Sequence, residues 1–177
     1  RQGFTGPVTF LETAPGLTRP TIHEHIVDWS QVGSAWGRPY AVIRNAFKPH
    51  ASCMITHPTI DAAAALRAEL AGDATPAAIE QVECRINPLV PQVAGYERPR
   101  TGLEGKFSVG YCCAIGLLEG RATPDCFTRD MVERADIGQI LDRIAFRVDP
   151  TVTEQQSEVS VRLRNGRRHY QRQYHRR

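Results

Sequence analysis

The sequence RTGLEGKFSVGYCCAIGLLEG, residues 100–120, decides the fold because it contains the main apolar helix of the chain. We predict that this helix covers about residues 107–119. Gly120 marks its end, since glycine readily adopts the left-handed conformation that closes many helices. Three polar residues stand at the start of this apolar run, where such groups usually face a site.

Those polar residues are Lys106, Ser108 and Tyr111. Ser108 and Tyr111 are three residues apart, so they share one helix face, and Lys106 stands just before the helix. A tyrosine hydroxyl can donate to a leaving hydroxyl, and a lysine can neutralise a substrate carboxylate. The residues alone leave an alternative, in which Tyr111 is a core aromatic with a satisfied hydroxyl.

A second informative stretch is KPHASCMITHPTIDAA, residues 48–63. We predict a strand over 40–47, because that segment is rich in β-branched and aromatic residues and is stopped by Pro49. Pro58 then opens a helix that ends before Gly72. Between strand and helix the chain forms a loop.

The loop carries Lys48, Cys53, Thr56 and His57. Backbone amides at a helix start favour anions, so an acidic substrate would suit this loop. Taken alone, Lys48 is better interpreted as a solvated surface lysine, and His57 before Pro58 could simply cap the helix.

The remaining segments predict an α+β domain with a mostly antiparallel sheet packed by helices in two layers. SEVSVRLRNGRRHYQRQ alternates apolar and polar residues around Asn165-Gly166, a dipeptide favoured by type I′ hairpin turns. The other predicted elements are a helix over 76–81, a strand over 82–87, a Pro-rich loop over 88–99, helices over 125–134 and 136–144, and a strand from Phe146. Gly and Pro residues over 14–39 predict a domain boundary, placed between residues 36 and 37.

Length and composition limit the classes of protein to which this chain can belong. A chain of 177 residues suffices for one domain with its own core, and no apolar run approaches the roughly 20 residues of a membrane span. The sequence starts with Arg1 and shows no secretory leader, so we expect a piece of a longer polypeptide.

The net charge of +3 arises from the C-terminal segment, because residues 162–177 contain seven basic and no acidic residues. The rest has 15 basic against 19 acidic residues, which disfavours a nucleic-acid partner.

Five cysteines contain no CxxC pair, so neither a zinc site nor a disulfide framework is indicated. Buried reduced thiols point to the cytoplasm. His23 and His25 lack visible metal-binding partners, and we interpret four acidic residues as helix-terminal or turn acids: Asp28, Asp61, Asp125 and Asp136.

Four segments together resemble the MmgE/PrpD family, which includes 2-methylcitrate dehydratase, cis-aconitate decarboxylase and iminodisuccinate epimerase. They are GFTGP near the start, NAFKPHASCMITHPTIDAA, TGLEGKFSVGYCCAIGLLEG and the acidic DCFTRDMVE. The resemblance implies a large helical domain and a smaller α+β lid, with the active site in the cleft between them. Residues 1–36 would then be the end of the helical domain and the linker, and 37–177 the lid.

The resemblance also implies roles for single residues. Lys48, His57 and Tyr111 match catalytic positions of the family, and Lys106 falls where relatives place a basic residue. Substrate binding would involve Lys48, Cys53, Lys106 and Ser108. Cys53 stands where animal cis-aconitate decarboxylases have a histidine, which argues against that decarboxylation.

The chemistry implied is a dehydration of a small hydroxy di- or tricarboxylate that needs no metal or cofactor, as in 2-methylcitrate dehydratase. Epimerisation or decarboxylation of the same substrate class is one alternative, and a non-catalytic lid or binding module is another. The resemblance further implies a homodimer, and a helical domain of the same polypeptide without which this chain is expected to be inactive.

Overall fold

The computed structural model describes residues 47–174 together with residues 40, 43 and 45. The chain divides into two compact units, Arg1–Asn45 and Ala46–Arg177. The predicted boundary between residues 36 and 37, and the predicted helical-domain piece before it, lie outside the described residues. Four of the eight positions of the strand predicted over 40–47 also lie outside them, and none of the other four is in a strand.

The described residues form a set of helices on a four-stranded sheet. The helices are α1 (His57–Leu70), α2 (Leu89–Val93), α3 (Gly102–Lys106), α4 (Val109–Glu119), α5 (Arg129–Val132) and α6 (Ala135–Leu141). The strands are β1 (Ile79–Ile86), β2 (Ile144–Val148), β3 (Gln156–Leu163) and β4 (Arg168–Tyr174). Two 3₁₀ turns, Met54–Thr56 and Pro124–Phe127, precede α1 and α5.

The sheet has the strand order β2-β1-β3-β4. β1 runs parallel to β2, whereas the β1/β3 and β3/β4 pairs are antiparallel. Residues of β3 alternate between buried and half-buried positions, because successive side chains of a strand point to opposite faces. The predicted α+β fold with a mostly antiparallel sheet is therefore confirmed.

Helix α1 begins and ends as the sequence predicts. Pro58 lies in its first turn, where the missing N–H costs no hydrogen bond. At the other end Ala71 adopts a left-handed conformation with φ 47° and Gly72 follows with φ 114°. The strained position thus falls on Ala71, one residue before the glycine.

The core lies between one face of the sheet and helices α1 and α4. Every residue of α4 from Val109 to Leu117 is buried. Helices α1 and α4 approach closely at Gly116, where an added Cβ would lie 2.7 Å from the Cβ of Ala63 and 3.0 Å from the carbonyl oxygen of Ile60. Only a residue without a side chain fits this crossing.

The hairpin is confirmed, but its turn differs from the predicted type I′. Gly166 has φ 86°, whereas Asn165 is not in the left-handed region. The Gly166 N–H donates to the Leu163 carbonyl and the Leu163 N–H donates to the Arg167 carbonyl. This is a three-residue loop, in which one turn is followed by a glycine in the left-handed region.

Three local predictions were wrong at short elements. The segment 76–81 is not a helix, because β1 already begins at Ile79 and pairs with Leu163 of β3. The Pro-rich loop contains α2, whose first N–H is held by the side chain of Asn87. The helix predicted over 125–134 is interrupted by Thr128, which is extended and caps α5.

The helix predicted over 136–144 covers 135–141 instead. Residue 144 already belongs to β2, which agrees with the strand predicted from Phe146. No helix among the described residues is both long and apolar enough to cross a membrane.

Candidate functional site

The 48–57 loop is held against the backbone on both sides of helix α4, at the end of α3 and just after α4. The Cys53 N–H donates to the carbonyl of Lys106 at 2.9 Å, and the Ala51 N–H donates to the carbonyl of Ala122 at 2.8 Å. Backbone bonds of this kind fix the loop independently of its side chains. Two segments that are far apart in the sequence therefore lie side by side.

Lys48 and Lys106 stand on these two neighbouring segments, and they are the only lysines of the 177-residue sequence. Lys48 is exposed, and its ammonium donates to the carbonyl of Ser52 at 3.4 Å. Lys106 is half-buried, and its ammonium lies 5.9 Å from the centroid of the Phe127 ring. A cation over an aromatic face is stabilised without losing its charge.

Cys53 is half-buried and lines a cavity of about 230 Å³ at the outer side of the loop. The lining is mainly apolar and includes one acidic and one amide side chain: Cys53, Met54, Ile55, Pro58, Leu89, Val93, Glu154 and Gln155. The cavity connects the loop to α2 and to the turn before β3.

A buried polar cluster supports the loop from below. The hydroxyls of Ser52 and Thr56 are 2.9 Å apart, and the Thr56 hydroxyl donates to the Cys53 carbonyl at 2.8 Å. The thiol of Cys112 in α4 lies beneath them, and burial raises its pKa to about 12. At neutral pH this thiol is uncharged and belongs to the support of the loop.

Ser108 and Tyr111 point into the domain. Ser108 is fully buried, and its hydroxyl accepts the N–H of Tyr111 at 3.2 Å, so it is the N-cap of α4. The Tyr111 hydroxyl donates to the carbonyl of Cys126 at 2.6 Å, and burial raises its pKa above the ordinary value. The Tyr111 ring is fully buried and packs against Phe127.

His57 is the first residue of α1 and is fully buried. The backbone of Cys53 thus lies beside that of Lys106, and the two residues are half-buried whereas Lys48 is exposed. His57, Ser108 and Tyr111 are buried in the interior. Roles in direct contact with a substrate remain predictions for all six residues.

Sequence reasoning missed His50. Its Nε2 lies 2.7 Å from Oδ1 of Asp61, and its ring meets the ring of His57 edge to face at a centroid distance of 5.0 Å. Asp61 lies in the second turn of α1, so the interpretation as a helix-terminal acid was wrong. No periodicity signals this pair, because a loop residue meets a helix residue eleven positions later.

The charges around the loop are mixed, because Asp61 bonds to His50 and Glu154 lines the cavity beside Cys53. The 48–57 loop contains no acidic residue, and the site holds two lysines that can donate to a carboxylate. Among residues 47–174 there is no group of three or more His, Cys, Asp and Glu side chains suited to a metal ion.

A family model matches most of this chain. The family model described as the MmgE/PrpD C-terminal domain matches residues 50–176, well over half of the chain. The match begins two residues after Lys48 and includes the other candidate residues. A search of curated proteins found no match.

Proposed function

The chain belongs to the MmgE/PrpD family and carries its C-terminal domain, and on this premise we propose that it is the lid of a cofactor-independent lyase. The substrate is a small hydroxy di- or tricarboxylate, as for 2-methylcitrate dehydratase, and the product is the unsaturated acid. One observation carries the proposal. Lys48 and Lys106, the only lysines, lie on two segments that are joined by a backbone hydrogen bond from the Cys53 N–H to the Lys106 carbonyl.

In the proposed reaction Lys48 and Lys106 bind the carboxylates of the substrate. A base removes a proton from the carbon beside a carboxylate, and the lysines stabilise the enolate-like charge that develops. An acid protonates the departing hydroxyl, so that one water is lost. Cys53 borders the bound substrate and the apolar cavity beside it.

The buried residues have supporting roles in this proposal. Ser108 and Tyr111 hold the start of α4, and His57 supports the loop from behind, since each is fully buried. The remaining catalytic groups come from the helical domain of the same polypeptide, and the active form is a cytoplasmic homodimer. Family resemblance supports these last assignments.

The activity is tested with the polypeptide that includes the helical domain. It is incubated with 2-methylcitrate and related hydroxy acids, and the absorbance of the unsaturated product and the product mass are followed. Loss of one water is expected. Exchange of a carbon-bound hydrogen for deuterium in heavy water, with no loss of water, would favour epimerisation. Loss of carbon dioxide would favour decarboxylation, and no reaction would favour a non-catalytic lid.

The lysine assignment is tested separately on the chain itself. Reductive methylation with ¹³C-formaldehyde labels two lysines and the N-terminal amine, and we expect added 2-methylcitrate to shift both lysine NMR signals. In the active polypeptide Lys48→Ala and Lys106→Ala should each raise KM by about 10- to 100-fold, the cost of a charge-assisted hydrogen bond. Arg129→Ala removes a cation whose side chain is 80% exposed, and it should leave KM unchanged.

A further inference from the structure

His50 and Asp61 form a hydrogen-bonded pair beside Lys48. The distance from Nε2 to Oδ1 is 2.7 Å, and the His50 side chain is 13% exposed. An ionised carboxylate only accepts hydrogen bonds, so Nε2 of His50 carries the proton that it donates to Asp61. The neutral ring then presents Nδ1 as an acceptor.

The neighbouring imidazole of His57 lies further inside. The two ring centroids are 5.0 Å apart with an interplanar angle of 87°, and His57 is fully buried. Of the two rings, His50 is the one with access to solvent, and it stands only two residues after Lys48. His57 therefore packs against the ring that is partly open to solvent.

We propose that His50 is the base of the lyase site, a catalytic residue whose tautomer and orientation are fixed by Asp61. The inference rests on the proposed function and gives to His50 the proton transfer that the family resemblance associates with His57. Apart from the lysines that bind the carboxylates and the acid that protonates the leaving hydroxyl, the step uses only His50, Asp61 and the substrate.

The proposed step balances as follows in atoms and charge. Nδ1 of His50 takes the proton from the carbon beside the carboxylate, and the electron pair of that C–H bond forms the carbon–carbon double bond. The C–O bond breaks, and the hydroxyl leaves as water with a proton from the acid. Asp61 stabilises the imidazolium until His50 returns its proton to solvent and solvent reprotonates the acid.

The surroundings of His50 suit this cycle. Asp61 holds the ring at Nε2, and its carboxylate lies 2.7 Å from that nitrogen when Nδ1 accepts the substrate proton. The His57 ring packs edge to face against the same imidazole. A bound carboxylate at Lys48 offsets the positive charge when the proton must be accepted.

The decisive experiment compares two histidine variants of the active polypeptide. We expect His50→Gln to lower kcat by about 10²- to 10⁴-fold with little change in KM, the usual contribution of a general base. It should also remove the acidic limb of the pH profile of kcat. The control is His169→Gln, because His169 is 16% exposed and lies 3.7 Å from Glu69 of the same helix α1. This control should keep wild-type kinetics.

A spectroscopic measurement tests the pair without turnover. In ¹⁵N-histidine NMR spectra of the chain, His50 should show a protonated Nε2 and an unprotonated Nδ1. Asp61→Asn should alter this signal and lower kcat about tenfold or more at unchanged KM. The same variant supplies the kinetic test if circular dichroism shows that His50→Gln is unfolded.

The outcomes separate the two proposals. A wild-type protein that converts no hydroxy acid removes the proposed function and the role of His50 with it. An active wild-type protein with unchanged kcat and pH profile in His50→Gln removes the role of His50 alone. A His50 ring with unprotonated Nε2 would equally contradict the proposed tautomer.

Discussion

The 48–57 loop and the start of helix α4 lie side by side and both carry polar residues, but they orient them differently. Ser108 and Tyr111 of α4 are fully buried and bond to the backbone of their own domain. Lys48 of the loop is exposed, and His50 keeps partial access to solvent. Both of these side chains also bond within the domain, so what separates them from Ser108 and Tyr111 is access to solvent. Proximity to a helix start therefore does not decide whether a polar residue is open to a ligand.

The largest effect should come from the crossing of α1 and α4. We expect Gly116→Val to lower the free energy of unfolding by about 3 kcal/mol, because the first added carbon already meets Ala63 at 2.7 Å. Urea denaturation measures this change. Gly138→Ala in α6 is the control, since nothing lies within 4 Å of its added Cβ, and it should stabilise by about 0.4–1 kcal/mol. A Gly116→Val protein of wild-type stability would contradict the close packing.

A smaller effect is expected for Tyr111→Phe. The change leaves the buried carbonyl of Cys126 without its donor, which should cost about 1–3 kcal/mol in urea denaturation. The control Tyr96→Phe alters a 53% exposed side chain and should stay within about 0.5 kcal/mol.

Turnover of the same Tyr111→Phe variant sharpens the comparison between the loop and α4. If Tyr111 serves the fold, kcat of the active polypeptide should remain at the wild-type value. A fall of about 10²-fold or more with intact stability would instead assign Tyr111 to proton transfer.

The buried thiol of Cys112 predicts a loss of stability at alkaline pH. Burial raises its folded-state pKa to about 12, above the unfolded value of about 8.5. The resulting stabilisation is complete below pH 8.5 and is lost as the pH rises toward 12. Between pH 9 and 11 the free energy of unfolding of Cys112→Ala should fall less steeply with pH than that of the wild-type protein. The difference in slope should correspond to the release of about one proton on unfolding. Parallel pH curves for the two proteins would contradict this origin.

The smallest effect on stability is expected in the loop. Lys48→Ala removes an exposed side chain whose hydrogen bond to the Ser52 carbonyl is long, at 3.4 Å. The free energy of unfolding should therefore change by no more than about 0.5 kcal/mol. Urea denaturation measures this value beside the KM of the same variant. A decrease of more than about 1 kcal/mol in the free energy of unfolding would show that Lys48 stabilises the fold, as the buried residues of α4 do.

Much of the fold follows from local signals in the sequence. Pro58 and Gly72 bracket α1, Gly120 closes α4, and the alternation around Asn165-Gly166 predicts the hairpin. The short helices α2 and α3 were missed, because each depends on a cap or a neighbouring segment more than on periodicity. The helix predicted over 76–81 was wrong for a similar reason, because pairing with β3 makes this segment the start of β1.

The candidate site was predictable only in part. Residue type marked Lys48 and Lys106, but no pattern shows that Cys53 and Lys106 share a backbone bond or that His50 meets Asp61. The orientation of Tyr111 depends on the position of Cys126, which a later segment of the chain supplies. Such contacts are tertiary, so the local sequence carries no signal for them.

The central strand of the sheet also has a consequence for folding during synthesis. β1 ends at Ile86, yet its parallel neighbour β2 begins at Ile144, roughly sixty residues later, and β3 follows after that. At about 5–20 residues per second, a ribosome leaves β1 without either partner for several seconds. During that interval both edges of the strand stay open to mispairing, so the nascent chain should depend on chaperones until β3 emerges.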